Sequence, residues 1–295
     1  MGSMLLLVLT AMIWGFAFVA QRMGAEHVGS FVFNGIRFAL GALSLIPVVL
    51  IFERDKPDRE KKISTVKYGV IVGSILFAAS AFQQVGIEIT GSAGKAGFIT
   101  GLYTVLVPIV AFVIYRQRNR FNIWLGAVVA VVGLFLLSVS DSFTVGTGDL
   151  ILLCGALFYT MHIITIDHFV ERVSPLKFSA VQFATCAVLN LVMAIFFDTY
   201  DIEGIRAAIV PILYGGLGSV GVAYTLQVVA QKNVAPTPAA IIMSTEAMFS
   251  AIGGALILKE TMTLRGYMGC ALIFCGIILA QLNFNKKEVQ NERNV

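Results

Sequence analysis

Two ionisable side chains stand inside long apolar runs. Glu246 lies near the middle of IIMSTEAMFSAIGGALIL (Ile241–Leu258), and Arg37 lies within FNGIRFALGAL (Phe33–Leu43). A charge at the centre of a bilayer costs about 2.5–3.5 kcal/mol on insertion scales, so both side chains are expected to face protein or water. A carboxyl in such a place is cheaper uncharged, which suits it to load and release a proton. The bland alternative is a neutral, hydrogen-bonded carboxyl that packs helices together. A guanidinium stays charged and needs a carboxylate, backbone carbonyls or water. Three readings of Arg37 are open at this point: a pair with Glu246, which is the only acidic residue near mid-membrane, contact with an anionic substrate group, or snorkelling outward.

A second tier of groups offers hydrogen bonds. Trp14, Tyr103, Tyr159 and Tyr224 lie inside apolar runs instead of at their ends. Membrane Trp and Tyr usually sit at the interface, and interior ones need a partner for NH or OH, which a polar cavity supplies. Buried amides must be satisfied in the same way, and Asn34, Gln83, Gln84, Gln182, Asn190 and Gln227 fall in this class. Hydrogen bonding between helices is the competing account for the amides. The candidate substrate-binding set is Trp14, Arg37, Tyr103, Tyr159, Gln182, Tyr224 and Gln227. The candidate proton-coupling residues are Glu246 and His162. His162 is three residues from Tyr159, hence on the same helix face, and is placed near the cytoplasmic end of its run.

These groups are carried by apolar elements. Hydrophobic residues make up 58% of the chain and charged ones 13%, with mean hydropathy +0.86, against about 25% charged in a soluble domain. Only a protein with hydrocarbon as solvent can leave so much apolar surface outside, so the chain is read as an integral membrane protein. Ten runs reach the length of a bilayer-spanning helix: Met4–Gln21, Ser30–Phe52, Tyr68–Ile87, Ala93–Tyr115, Asn122–Ser140, Asp149–Ile166, Phe178–Phe197, Ala207–Ala230, Thr237–Leu258 and Leu264–Leu282. The first run lacks a basic segment and a cleavage site and is expected to be a retained helix. With the N-terminus inside, Lys and Arg favour the cytoplasmic loops by about three to one. Both termini are therefore expected to be cytoplasmic. Cys154, Cys186, Cys270 and Cys275 lie in apolar runs without metal-binding spacing and are read as small core residues. Lys95 is read as an exposed charge at the outer face. No cofactor, metal or nucleic-acid partner is expected. The oligomeric state is left open.

The chain repeats itself. FNGIRFALGAL aligns with FSAVQFATCAV (Phe178–Val188), setting Arg37 opposite Gln182 and Trp14 opposite Tyr159. QRNRFNIWLGAVVAVVG aligns with KETMTLRGYMGCALIFCG at a slightly different offset, setting Gly126 opposite Gly269, Gly133 opposite Gly276 and Tyr103 opposite Glu246. Two five-helix halves follow, 1–141 and 147–284, with a cytoplasmic tail 285–295. Five is odd, so the second half enters the membrane from the opposite side. This inverted repeat is a recurrent design of secondary transporters.

The order of LTAMIWGFAFVAQRMG, GIRFALGALSL and AYTLQVVAQKNVAPTPAAIIMSTEAMFSAIGGALILKETMTLRGYMGCALIFCGIIL resembles the two EamA repeats of the drug/metabolite transporter superfamily, over almost the whole chain. The resemblance implies ten transmembrane helices as two inverted five-helix EamA-like repeats around a central cavity. It also implies transport, often export, of amino acids or related metabolites across the plasma (inner) membrane. The family often has Pro after the acidic residue of the ninth helix. Ala247 stands there instead, which leaves a helix break at that point in question.

Alternating access with proton coupling, and uncoupled facilitation or exchange, are both compatible with these residues. A membrane-embedded enzyme would need a catalytic pair or metal set that one mid-membrane Glu does not make. A channel would show filter-like repeats or charge rings, and neither is present.

Overall fold

The computed structural model describes residues 2–53, 59–116, 119–138, 146–257 and 263–281. The expected tail 285–295 and the charges Arg54, Lys56, Arg118, Lys259, Lys286, Lys287 and Arg293 lie outside these residues. The described residues are helical with no strand. Eight stretches are long and apolar enough to cross a bilayer: Gly2–Ala25, Ser30–Phe52, Glu60–Thr90, Ala93–Ile114, Thr147–Arg172, Pro175–Phe197, Ile209–Gln231 and Pro236–Ile257. The fifth and tenth expected runs form the shorter apolar helices Phe121–Leu137 and Leu264–Ala280. Large apolar side chains such as Leu5, Leu50, Val113, Phe196 and Leu256 point outward, as a lipid-facing surface requires.

The first three stretches are single helices along most of their length: α1 (Gly2–Ala25), α2 (Ser30–Phe52) and α3 (Arg59–Thr90). α1 runs past its expected end, which brings Gln21 inside the helix and buries it. The fourth stretch is broken into α4 (Ala93–Gly101) and α5 (Tyr103–Tyr115) at Leu102. α6 (Phe121–Ser138), α7 (Thr147–Phe169) and α8 (Pro175–Phe197) follow, the last opened by a proline whose missing N–H costs nothing at a helix start. A short α9 (Ile202–Ala207) leads to α10 (Ile209–Leu213), a π-helical segment (Tyr214–Tyr224) and α11 (Thr225–Gln231). The ninth stretch is again broken, into α12 (Pro236–Met243) and α13 (Glu246–Ile257), and α14 (Leu264–Gln281) ends the described chain.

The ninth helix therefore breaks at Ser244–Thr245, just before Glu246, without a proline. Ser244 and Thr245 turn their hydroxyls back onto the carbonyls of Ile241 and Ile242, both at 2.8 Å. The N–H groups of Thr245 and Ala247 bond three residues back, at 3.2 and 3.3 Å. Hydroxyls that bond the preceding turn compete with the helical ladder, and the turn tightens.

Two of the antiparallel helix pairs are α6 with α14 and α2 with α8. α6 and α14 pack more extensively than any other pair among the described residues. A Cβ on Gly126 would lie 2.5 Å from the carbonyl oxygen of Gly276, and one on Gly133 would lie 2.6 Å from that of Gly269. Only residues without a side chain allow this approach. In α2 and α8 the ring centroids of Phe31 and Phe197 are 5.7 Å apart, and those of Phe38 and Phe183 are 6.4 Å apart. This pair is tied at both ends. Asp198, after α8, accepts from the N–H of Val32 at 2.7 Å, and Glu53, after α2, accepts from the N–H groups of Leu176 and Lys177 at 3.0 and 3.2 Å. Each carboxylate satisfies orphan donors at the start of the other helix.

Two expectations are corrected. Lys95 is not a lone surface charge: its Nζ lies 2.8 Å from Oδ2 of Asp149, whose side chain is 6% exposed. Of the four cysteines only Cys186 is buried; Cys154 and Cys275 are exposed on outward helix faces and Cys270 is partly so. A small polarizable thiol is tolerated against lipid as readily as in a core.

Candidate functional site

The polar residues of α1 to α5, α7, the π-helical segment, α11 and α13 converge on one cavity of about 30 Å³, room for a few water molecules. Eight of the nine candidate residues line it: Trp14, Arg37, Tyr103, Tyr159, His162, Tyr224, Gln227 and Glu246. The ninth, Gln182, stands behind the wall and holds His162 in place.

The two helix breaks meet here. Tyr103 is the first residue of α5 and Glu246 the first of α13, and Tyr103 donates its hydroxyl to Glu246 Oε1 at 3.0 Å. Both side chains are buried, at 2% and 3% exposure. The carboxyl sits in the first turn of α13, where the helix dipole favours negative charge, while its burial opposes charge. Such a balance suits a group that changes protonation state.

A second set is linked by hydroxyls. Tyr224 donates to the hydroxyl of Tyr159 at 3.1 Å, Tyr159 donates to Gln83 Oε1 at 3.1 Å, and Gln83 Nε2 donates to Thr100 Oγ1 at 3.2 Å. Trp14 packs on Tyr224 with ring centroids 4.6 Å apart and sends its Nε1–H to the carbonyl of Ser219 at 3.4 Å. Ser219 and Tyr224 belong to the π-helical segment, whose glycines let α2 come close: a Cβ on Gly216 would stand 2.7 Å from Leu40 Cβ. π-helical turns are frequent at functional sites.

His162 lies in the cavity wall, not at the interface where its sequence position put it, and is 1% exposed. Its Nε2 is 3.1 Å from Gln182 Oε1. With the Gln182 oxygen turned toward the ring, Nε2 donates and Nδ1 holds the lone pair. Nδ1 has no partner.

Arg37 and Glu246 line the same cavity but form no ion pair among the described residues. Arg37 donates Nε–H to Asn34 Oδ1 at 2.8 Å, and its guanidinium carbon lies 4.8 Å from the Phe38 ring centroid and 5.7 Å from that of Phe33. It is 1% exposed, so it does not snorkel.

Gln21, Thr100 and Ser219 also line the cavity and were not marked by sequence reasoning. Gln21 carried a signal, as the polar residue closing the first apolar run. A single Thr or Ser carries none, because its hydroxyl can bond its own helix anywhere in a membrane.

A model of the EamA-like transporter family matches residues 1–139 and again 146–282. The chain belongs to the EamA-like transporter family. It is 29% identical over 276 residues to an uncharacterized transporter of Archaeoglobus fulgidus, covering 94% of this chain and 84% of the relative. It is 21% identical over 292 residues to the uncharacterized transporter YoaV of Bacillus subtilis, covering 97% and 99%. A crystal structure at 17% identity superposes with TM-score 0.78 over 95% of this chain and 96% of the other, which speaks to the fold alone. This EamA-like chain is thus a multi-pass membrane transport protein, not an enzyme.

Proposed function

We propose that this protein is a secondary transporter that moves a small polar metabolite, an amino acid or related compound, across the plasma (inner) membrane by alternating access, with net export and proton coupling. The observation that carries this reading is the polar cavity lined by Glu246, at one helix break, which accepts a hydrogen bond from Tyr103 at the other. Discontinuous helices whose half-helix termini meet at mid-membrane are how transporters of inverted-repeat design build binding sites. A cavity of about 30 Å³ is smaller than a metabolite, which fits a state whose walls part when solute loads.

The same reading takes the chain as two inverted halves, 1–141 and 147–284, that contribute ten crossings with both termini cytoplasmic. The antiparallel packing of α6 on α14 and of α2 on α8 supports it, since each pair joins one helix to its sequence counterpart. Glu246 carries the proton and His162 assists it, while Trp14, Arg37, Tyr103, Tyr159, Tyr224 and Gln227 contact solute and Gln182 orients His162.

The test is comparative metabolite profiling. Wild type and Glu246→Gln are expressed at equal membrane levels, and solutes are quantified inside and outside the cells. The expected result is that particular amino acids or related solutes accumulate outside with the wild type and not with the variant. No solute difference between wild type and an empty vector would remove the transport reading. Equal export by both proteins would remove proton coupling through Glu246.

A further inference from the structure

We infer that Arg37 is the receptor for a carboxylate group of the transported solute, and that the solute also carries N–H or O–H donors. This rests on the reading of the cavity as the transport site.

Arg37 is a permanent cation buried at 1% exposure among helices that face lipid. The expected partner, Glu246, hydrogen-bonds Tyr103 instead. Asn34 is neutral and takes only the Nε–H. Asn34 is itself fixed, since its Nδ2 donates to the carbonyl of Ser80 at 3.0 Å. Phe33 and Phe38 flank the guanidinium carbon, at 5.7 and 4.8 Å, and leave its N–H edge unpaired. Nη2 is buried and has no hydrogen-bond partner. A guanidinium has five N–H donors in a planar fork that matches a carboxylate.

The cavity walls complete the complement. Arg37 is the one Lys or Arg among the described wall residues, so the site matches one negative group and not a diphosphate. Gln21, Gln227 and His162 line the same cavity, and Gln21 Oε1, Gln227 Oε1 and His162 Nδ1 are buried without partners. Buried polar atoms left unpaired cost stability unless something meets them. One cationic donor with neutral acceptors around it fits a carboxylate whose carrier also donates.

Trp14 lines the cavity, and Trp124 is the other tryptophan. Purified Trp124→Phe protein in lipid nanodiscs therefore reports binding by Trp14 fluorescence. Alanine, serine, leucine and phenylalanine are titrated, each beside its carboxamide, with sodium chloride as a separate arm. The expected result is saturable response to at least one acid, with its amide weaker by about tenfold or more. Arg37→Gln should lose that preference and Asn34→Ala should weaken it partly.

Equal binding of acid and amide, or no response to any acid, overturns the inference. A saturable chloride response that the acids do not displace also overturns it, by making Arg37 an inorganic-anion site. If Arg37→Gln does not fold, the acid-to-amide comparison on unaltered Arg37 decides alone. Binding with acid preference but no counterflow in proteoliposomes would leave this site standing and remove the transport reading. Counterflow without acid preference would do the reverse.

Discussion

Alanine at the glycine crossing of α6 and α14 tests the architecture directly. On a free helix Gly→Ala gains about 1 kcal/mol of helix propensity. At this crossing the new methyl would lie 2.5 Å from a carbonyl oxygen for Gly126 and 2.6 Å for Gly133, Gly269 and Gly276. The obstructing atoms are backbone, so no side chain can swing aside. The helices must separate along the most extensive packing surface among the described residues, and overpacking of this kind costs about 1–3 kcal/mol. With backbone on both sides the upper end applies, and each single variant should lose about 2 kcal/mol net after the propensity gain. Thermal denaturation of purified protein in detergent would show each as a lower Tm. The decisive readout is coupling in double variants. Gly126 and Gly276 share one contact, so once the first methyl has spread the helices the second costs less, and the double variant is sub-additive. The same holds for Gly133 with Gly269. In a parallel arrangement the sequence counterparts Gly126 and Gly269 would face each other and would couple instead. Coupling between Gly126 and Gly269 but not between Gly126 and Gly276, or singles more stable than the parent, would refute the antiparallel crossing.

Asp198→Ala and Glu53→Ala should each lower stability by about 0.5–2 kcal/mol, as loss of a helix cap does, while Asp198→Asn, which keeps an acceptor for Val32, should lose less in the same melting assay. Tyr103→Phe removes the donor to Glu246 and should cost about 1–3 kcal/mol together with most of the solute export; a variant with wild-type export would remove Tyr103 from the site. In a background without native cysteines, His27→Cys should react with an impermeant maleimide from outside intact cells and Asn233→Cys only after permeabilisation, and the opposite pattern would reverse the orientation.

The cavity was legible in the sequence because polar groups in hydrocarbon are costly and therefore conspicuous. That single cost picks out Trp14, Arg37, Tyr103, Tyr159, Tyr224, Gln227 and Glu246, and the structure gathers all of them around one space. The partners were not legible. The choice between Glu246 and Asn34 as the neighbour of Arg37 depends on helix rotation and tilt, which neighbouring helices set. The helix break at Ser244–Thr245 was hidden for a related reason: it arises from two hydroxyls that bond the preceding turn, and the same residues sit in unbroken helices elsewhere. Thr160 bonds the carbonyl of Ala156 at 2.9 Å within α7 without breaking it.

On the inverted-repeat reading, the positions that match across the halves divide by what they do. The offset that sets Arg37 opposite Gln182 also sets Glu53 opposite Asp198, and these two carboxylates cap each other's partner helix at opposite ends of one antiparallel pair. Phe38 and Phe183 face one another by the same offset, and the glycines of α6 and α14 meet in two crossed contacts. Scaffold positions have kept one chemistry in both halves because each half must make the same contact. At and just behind the cavity wall the counterparts differ: Trp14 answers Tyr159, Arg37 answers Gln182, and Tyr103 answers Glu246. A duplicated pair of charges would place two like groups around one small space, where repulsion and desolvation add. Keeping one cation and one carboxyl, each opposite a neutral hydrogen-bonding counterpart, gives the cavity two chemically distinct poles within a symmetric frame. That asymmetry is what a solute with unlike ends would need in order to bind in one orientation.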